Sequence, residues 1–450
     1  VAIHTGIIKA GAVVVPLNLL QNPKELAYVA NDAGVRGLFY HPVFAEQTTA
    51  FTAELPSLEF KVIIGESDDE PTFAEVLATD DAGVAIDQPQ AEDPAVILYT
   101  SGTTGNPKGA ILTHNNLVSN TSSIMRALQL EPGKDTLLVV LPMFHAFAAT
   151  VGVLTPLMHG ITIAPVPKFE PQLVTDVVEA TGATIFLGVP SMYGLLARMS
   201  DEQVSRWRSI RFGVAGGSAM PVELIHKFEQ RFGFPILEGD GPTECSPVTC
   251  VNPLNGVRKP GSVGLELPDV EIVVMDDQGG RLPSGEIGEL CVRGPNVMKG
   301  YWNLPEATAE VMFGDWLRTG DLGYKDEDGY IFMVDRKKDM VIVNGMNVYP
   351  RMIEEVLYQH PAVLEAAVVG EPHESHGEIP VAHVVLQEEG AVDSAGLREH
   401  CRQQLAQYQM PRKFFFRETL PKNATGKILK RELRKIGELE RGIDSRQVSD

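Results

Sequence analysis

From Ala95 to about Gly239, short β-branched runs alternate with amphipathic stretches, and this rhythm of parallel β/α units limits the fold more than any other feature of the chain. Strands are expected at Ala95–Tyr99 and Thr184–Gly188, and helices at Asn115–Leu128 and Pro221–Phe232, with Thr113 as N-cap of the first helix. From Gly261 to Asp335 the rhythm changes. Short runs at Val270–Met275, Ile287–Arg293 and Gly329–Val334 are separated by Gly, Pro and Asp turns, which predicts an antiparallel, barrel-like subdomain. Beyond about Arg336, strands at Met340–Val343, Glu365–Val369 and Val381–Leu386 mix with helical patterns at Pro350–Tyr358 and Asp393–Ala406, as in a small α+β domain. The expected class is α/β. A large N-terminal region of parallel β/α subdomains spans 1–335, with the barrel-like part at 260–335, and a small α+β domain spans 336–450. The charged turn Asp335–Asp339 between the two regimes is the candidate hinge.

A chain of 450 residues is too long for one compact core, and 44% hydrophobic with 22% charged residues excludes disordered and coiled-coil classes. Lys and Arg number 38 against 59 Asp and Glu, a net charge of -21 that repels a nucleic-acid backbone at long range, so no nucleic-acid partner is expected. A local cradle can still bind a small anion. The longest apolar region, Leu137–Val166, is broken by Pro142, His145, Gly152, Pro156, His159 and Gly160, so no membrane span is expected. Cys245, Cys250, Cys291 and Cys401 form no CxxC, which suits reduced thiols in a cytoplasmic protein better than a disulfide frame or zinc site. The first residues carry no secretion signal, and a start at Val1 reads as a fragment or a processed product.

Four loops carry the chemistry. In Tyr99–Gly109 a buried strand runs into Ser101, Gly102, Thr103, Thr104 and Gly105, followed by Lys108; glycines admit backbone N–H groups to an anion, hydroxyls add donors and the lysine adds charge. This is a phosphate cradle without the Walker spacing. In Glu238–Glu244, with Gly239, Asp240, Gly241 and Thr243 between, Glu244 is a candidate Mg²⁺ ligand beside the cradle, since carboxylate, hydroxyl and phosphate oxygens are the donors magnesium favours. Taken alone, a Glu in a Gly-rich turn such as Glu244 is more often a solvated loop acid. Asp321, after the Gly320 turn, can accept from vicinal hydroxyls or serve only an Asx-turn. Lys427 follows a Thr-Gly turn and precedes Lys430, Arg431, Arg434 and Lys435, where the bland reading is a solvated basic helix end.

Together and in this order, these blocks resemble the adenylate-forming superfamily of acyl-CoA synthetases, aryl-CoA ligases, luciferase and peptide-synthetase adenylation domains. Further matching blocks are Leu141–His145, Ala215–Ser218, Gly285–Leu290, Gly300–Trp302, and Asp335–Arg336 followed by Asn344–Gly345. The resemblance implies ATP, Mg²⁺ and coenzyme A as cofactor and co-substrates. Ser101 to Lys108 would hold the β and γ phosphates, with Thr104 and Glu244 near magnesium. Gly217, Ser218, Glu238, Gly239, Asp240, Gly241 and Thr243 would contribute to the nucleotide site, with Asp321 on the ribose hydroxyls assisted by Arg336. Lys427 would meet the α-phosphate and the attacking carboxylate. The C-terminal domain is then expected to be mobile about Lys338, bringing the Gly345 segment to the pantetheine of CoA. The sequence departs from the family's pattern in three ways. Asp240 replaces a usual aromatic residue, Lys338 replaces a common Asp, and Val1–Leu26 matches a middle portion of the large domain, so upstream residues are expected to be absent.

The acyl pocket is expected between Phe144–Gly152, the strand end Gly213–Ser218 and the turn after Glu244, with Ala146, Ala148, Ala149, Gly152, Gly213, Ala215, Gly216 and Gly217 leaving an apolar groove. Amino-acid-activating relatives carry Asp where this chain has His145, which disfavours an amino acid. By the resemblance His145 would orient the carboxylate, though a histidine beside an apolar run is also a common core residue. The expected function is an ATP-dependent acyl-CoA ligase for a medium- or long-chain fatty acid. The alternatives are an aryl-CoA ligase for cinnamate- or benzoate-like acids and a nucleotide-binding regulatory pseudoenzyme.

Overall fold

The computed structural model describes residues 1–18, 20–79, 83, 88–100, 106–423 and 426–447, with side chains to 439. Its centre is a seven-stranded sheet in the order Leu265–Glu266, Cys250–Val251, Ile236–Asp240, Phe212–Ala215, Ile185–Gly188, Thr136–Val139, Thr162–Pro165. The last five are mutually parallel and the first two run antiparallel at one edge. The Ile185–Gly188 and Phe212–Ala215 strands are buried throughout, as expected where helices cover both faces of a parallel sheet.

The His114–Leu128 helix starts where the sequence places it. Thr113 Oγ1 accepts from Asn116 N, and Asn116 Oδ1 accepts from Thr113 N, satisfying two otherwise orphaned donors. Its apolar face turns Leu117, Ile124 and Leu128 into the main core.

One expectation is corrected. The strand predicted at Ala95–Tyr99, observed as Pro94–Thr100, does not join the parallel sheet. It pairs antiparallel with Lys108–Thr113, and Gly300–Tyr301 continues that small sheet on the far side. Lys108 therefore stands opposite Thr100 on the neighbouring antiparallel strand. A separate parallel pair, Gly37–Tyr40 with Phe60–Ile63, lies in the first part of the chain beside its own small core of Leu26, Ala30, Phe51 and Leu55.

The antiparallel region matches its predicted strands within two residues, as Glu271–Met275, Gly288–Arg293 and Ile331–Arg336. The long strand Trp316–Lys325 lies between Gly288–Arg293 on one edge and both Met312–Phe313 and Ile331–Arg336 on the other. The next strand, Val341–Val343, already belongs to the C-terminal sheet with Met346–Val348, Gly377–Leu386, Val363–His373 and Lys413–Phe416. Helices Pro350–Tyr358 and Ser394–Arg402 cover that sheet through Ile353, Leu357, Leu397 and Cys401, while Leu433 of the last helix packs against Ala367 and Val369. All four cysteines are buried and free. Among the described residues no helix is long and apolar enough to cross a membrane.

Candidate active site

The carboxyl ends of the parallel strands carry the site, as general for open α/β sheets. Thr136–Val139 leads into the block ending at His145, Phe212–Ala215 into Gly216–Ser218, and Ile236–Asp240 into Gly241–Glu244. Close approach dictates the glycines. A Cβ on Gly241 would lie 1.8 Å from the Pro247 carbonyl oxygen, and Gly217 holds a φ of +80°. Ser218 lies half-buried beside it.

Four charged groups from three parts of the chain converge here: Asp240, Asp321, Arg336 and Lys427. Asp321 and Arg336 are register partners on adjacent strands, with Arg336 Nε 3.1 Å from Asp321 Oδ1. Asp321 is 3% exposed, and its Oδ1 accepts no well-aligned hydrogen bond from the described residues despite that ion pair. Burial raises the pKa of Asp321, opposed by Arg336 and then Lys427. Asp240 is raised by burial and then by the Asp321 charge. Lys427 completes the group: burial and then Arg336 lower its pKa to about 8, against the pull of Asp321 and Asp240.

Lys427 reaches this place because its turn docks on the large region. Gly426 has φ +80°, and a Cβ there would come within 2.7 Å of Ser191 Oγ, just beyond the Ile185–Gly188 strand. The loop also closes on itself, with Lys427 N donating to Asn423 Oδ1. A second link is Arg351, on the first turn of the Pro350–Tyr358 helix, whose Nη2 lies 3.9 Å from Glu238 Oε1. Glu238 is 2% exposed; Oε1 accepts from Met220 N, while Oε2 is a buried acceptor without a donor among the described residues. Burial pushes its pKa up to about 7, with Arg351 opposing.

His145 takes a hydrogen bond on Nδ1 from Phe147 N, at 3.4 Å. Burial and then Lys427 lower its pKa, so the ring is neutral at pH 7, and with Nδ1 accepting, Nε2 carries the proton. Glu244 Oε1 accepts from Tyr301 Oη at 2.8 Å, and Oε2 takes no hydrogen bond from the described residues. No group of three or more His, Cys, Asp or Glu suited to a metal occurs among the described residues, so a cation at Glu244 would draw its other ligands from phosphate oxygens, water and hydroxyls. Thr104 lies outside the described residues, with Ser101, Gly102, Thr103 and Gly105. Gly345 is not brought to this cluster. It sits exposed at the tip of the Val341–Val343/Met346–Val348 hairpin, where Asn344 and Gly345 both take positive φ.

An apolar cavity opens beside His145, Gly217 and Asp240. Its walls are Ile124, Leu128, Val151, Val214, Val251 and Leu267, among others. Of the small residues expected to line it, Ala146, Ala215, Gly216 and Gly217 do so. Ala148, Ala149, Gly152 and Gly213 do not, because they are packing contacts: a Cβ on Gly213 would meet Tyr193 Oη at 2.6 Å, and one on Gly152 would meet Val139 at 3.1 Å. The wall from Ile124 and Leu128 went unforeseen, although their i, i+4 spacing on a predicted helix was a usable signal. Also unforeseen was Glu289, which accepts from Gly320 N and Arg318 and so fixes the turn before Asp321.

Residues 1–302 match the AMP-binding enzyme family and residues 352–427 match the AMP-binding enzyme C-terminal domain. The chain belongs to the AMP-binding enzyme family. Among family members, it is 40% identical to a long-chain-fatty-acid–CoA ligase of Bacillus subtilis over 343 residues, 76% of this chain but 61% of that protein, less than two thirds of its length. It is 36% identical to the sulfoacetate–CoA ligase of Cupriavidus necator over 95% of this chain and 83% of that one. The anthranilate CoA ligase AuaEII, solved with anthranoyl-AMP, superposes with a TM-score of 0.90 at 30% identity, covering 98% of this chain and 85% of that one. These relatives are named for joining CoA to acids of different chemistry.

Proposed function

We propose that this member of the family is an ATP-dependent acyl-CoA ligase that converts a medium- or long-chain fatty acid to acyl-AMP with release of pyrophosphate, then passes the acyl group to CoA. The observation that carries the choice of acid is the cavity wall. Apart from Asp240 and the neutral His145, it presents no ionisable side chain among the described residues, so a second carboxylate, a sulfonate or an ammonium would be buried unpaired. That argument sets the acid apart from sulfoacetate despite the relative's identity.

The two buried acceptors suit a nucleoside. Asp321 Oδ1 would take a ribose hydroxyl and Glu238 Oε2 an amino group of the base. Lys108, behind the phosphate loop, would meet the outer phosphates. Magnesium, held by Glu244 and Thr104, would screen the phosphate charge when bound. The carboxylate oxygen attacks the α-phosphorus, the bond to pyrophosphate breaks, and Lys427 faces the charge that gathers on the α-phosphate. His145 Nε2–H would orient the carboxylate. Thioester formation would then follow rotation of the C-terminal domain beyond the Lys338 hinge, which carries Lys427 away, leaves Arg336 paired with Asp321, and brings the exposed Gly345 hairpin to the pantetheine; the thiolate attacks the acyl carbon and AMP leaves. The free thiols suit a reducing, cytoplasmic setting.

Pyrophosphate release and thioester formation across saturated fatty, aryl, amino and sulfonated acids test the reading. Fatty acids should give the highest kcat/KM. Preference for a cinnamate by about tenfold, or 1.4 kcal/mol, would favour the aryl reading, and ATP binding with no turnover of any acid would favour a regulatory nucleotide binder.

A further inference from the structure

Tyr301 touches both halves of the phosphate site. Its Oη donates to Glu244 Oε1 at 2.8 Å, and Lys108 Nζ lies 5.2 Å from the centroid of its ring. Backbone pairing fixes the side chain. Tyr301 stands in register with Ala110, its N–H donates to Thr308 Oγ1 at 2.8 Å, and Trp302 N donates to Gly109 O at 2.7 Å. From the other side Met298 N donates to Glu244 O at 2.7 Å, so the short strand holding Tyr301 is tied both to the exit of the phosphate loop and to the Glu244 turn. Burial and then Glu244 raise the phenol's pKa, so it remains a neutral donor.

We propose that Tyr301 is a positioning residue that aligns Lys108 and Glu244 as one unit, its ring supporting the cation and its hydroxyl fixing the carboxylate so that Oε2 faces the metal. The inference rests on the functional reading above, since it needs an ATP–magnesium complex at this site. A carboxylate held through one oxygen keeps the other aimed without rotational search, and an ammonium over a ring face gains attraction while its N–H groups stay available to phosphate.

Calorimetric titration of the full chain with ATP, in chelator and in excess Mg²⁺, separates the two contacts. Tyr301→Phe keeps the ring and loses the hydroxyl. It should bind metal-free ATP as the wild type does, while the tightening produced by Mg²⁺ falls about fivefold or more. Tyr301→Leu should also weaken metal-free ATP binding by about threefold or more. Glu244→Gln should remove the Mg²⁺ effect, and adding Tyr301→Phe to it should change nothing further, a non-additivity that general loosening of the fold would not produce. An unaltered Mg²⁺ effect in Tyr301→Phe, or additive losses in the double variant, would overturn this inference alone. Absence of ATP binding by the wild type would overturn the functional reading and this inference with it.

Discussion

Arg336 and Asp321 stand opposite one another on neighbouring strands, with Nε 3.1 Å from Oδ1, and Arg336 is the last residue of its strand before the chain leaves for the C-terminal sheet. The ribose candidate is thus anchored at the point where the large region ends. In the proposed rotation, movement beyond Arg336 would withdraw the Lys427 charge while leaving Asp321 and Arg336 in register.

If Asp321 accepts ribose hydroxyls, Asp321→Asn should lower kcat/KM for ATP about 10- to 100-fold, the scale of hydrogen bonds to a charged group. The same variant should discriminate less between ATP and 2′-deoxy-ATP. Steady-state kinetics with both nucleotides checks this, and undiminished discrimination would remove the ribose role.

Lys427 has a pKa lowered to about 8, so it is charged at pH 7 and loses its proton as pH rises through that value. Adenylation kcat/KM, which reports the free enzyme, should therefore fall above about pH 8. Lys427→Arg keeps its charge across this range, and whatever activity it retains should show no such fall. A wild-type profile flat to pH 10 would contradict the assignment.

Asp240 raises the pKa of Lys427, and so Asp240→Asn should shift the alkaline limb to lower pH. The direction follows from the sign alone: removing an anion disfavours the neighbouring cation. A shift upward would mean that Asp240 does not face Lys427.

Gly241→Ala should destabilise the fold by several kcal/mol, since its Cβ would overlap the backbone oxygen of Pro247 at 1.8 Å and the sheet edge cannot yield cheaply. Thermal melting against wild type measures this, and a melting point within about 2 °C would show that the turn relaxes freely.

Elements with a strong local period were legible in the sequence: the His114–Leu128 helix with its Thr113 cap, and strands such as Ile185–Gly188 and Ile331–Arg336, fall within two residues of expectation. The partner of Pro94–Thr100 was not, because a buried strand has the same apolar run whether its neighbour is parallel or antiparallel. The pocket was half legible for a similar reason. Gly213 and Gly152 are small because neighbours press on them, whereas residues forming a true wall, such as Leu128 and Leu267, look like ordinary core in sequence. Arg351 and Glu238 are separated by more than a hundred residues, and no local pattern announces that they meet.

In the proposed cycle Lys427 serves adenylation and is absent from thioester formation, and the Lys427→Ala variant, assayed in each half-reaction, separates the two steps. Acid-dependent pyrophosphate release should fall by about three orders of magnitude, the scale of losing a charge partner at the transition state. Conversion of supplied acyl-adenylate plus CoA to thioester should stay within about tenfold of wild type. Equal loss in both half-reactions would contradict the account, because Lys427 would then have to act in both steps and the C-terminal domain could not be alternating between them.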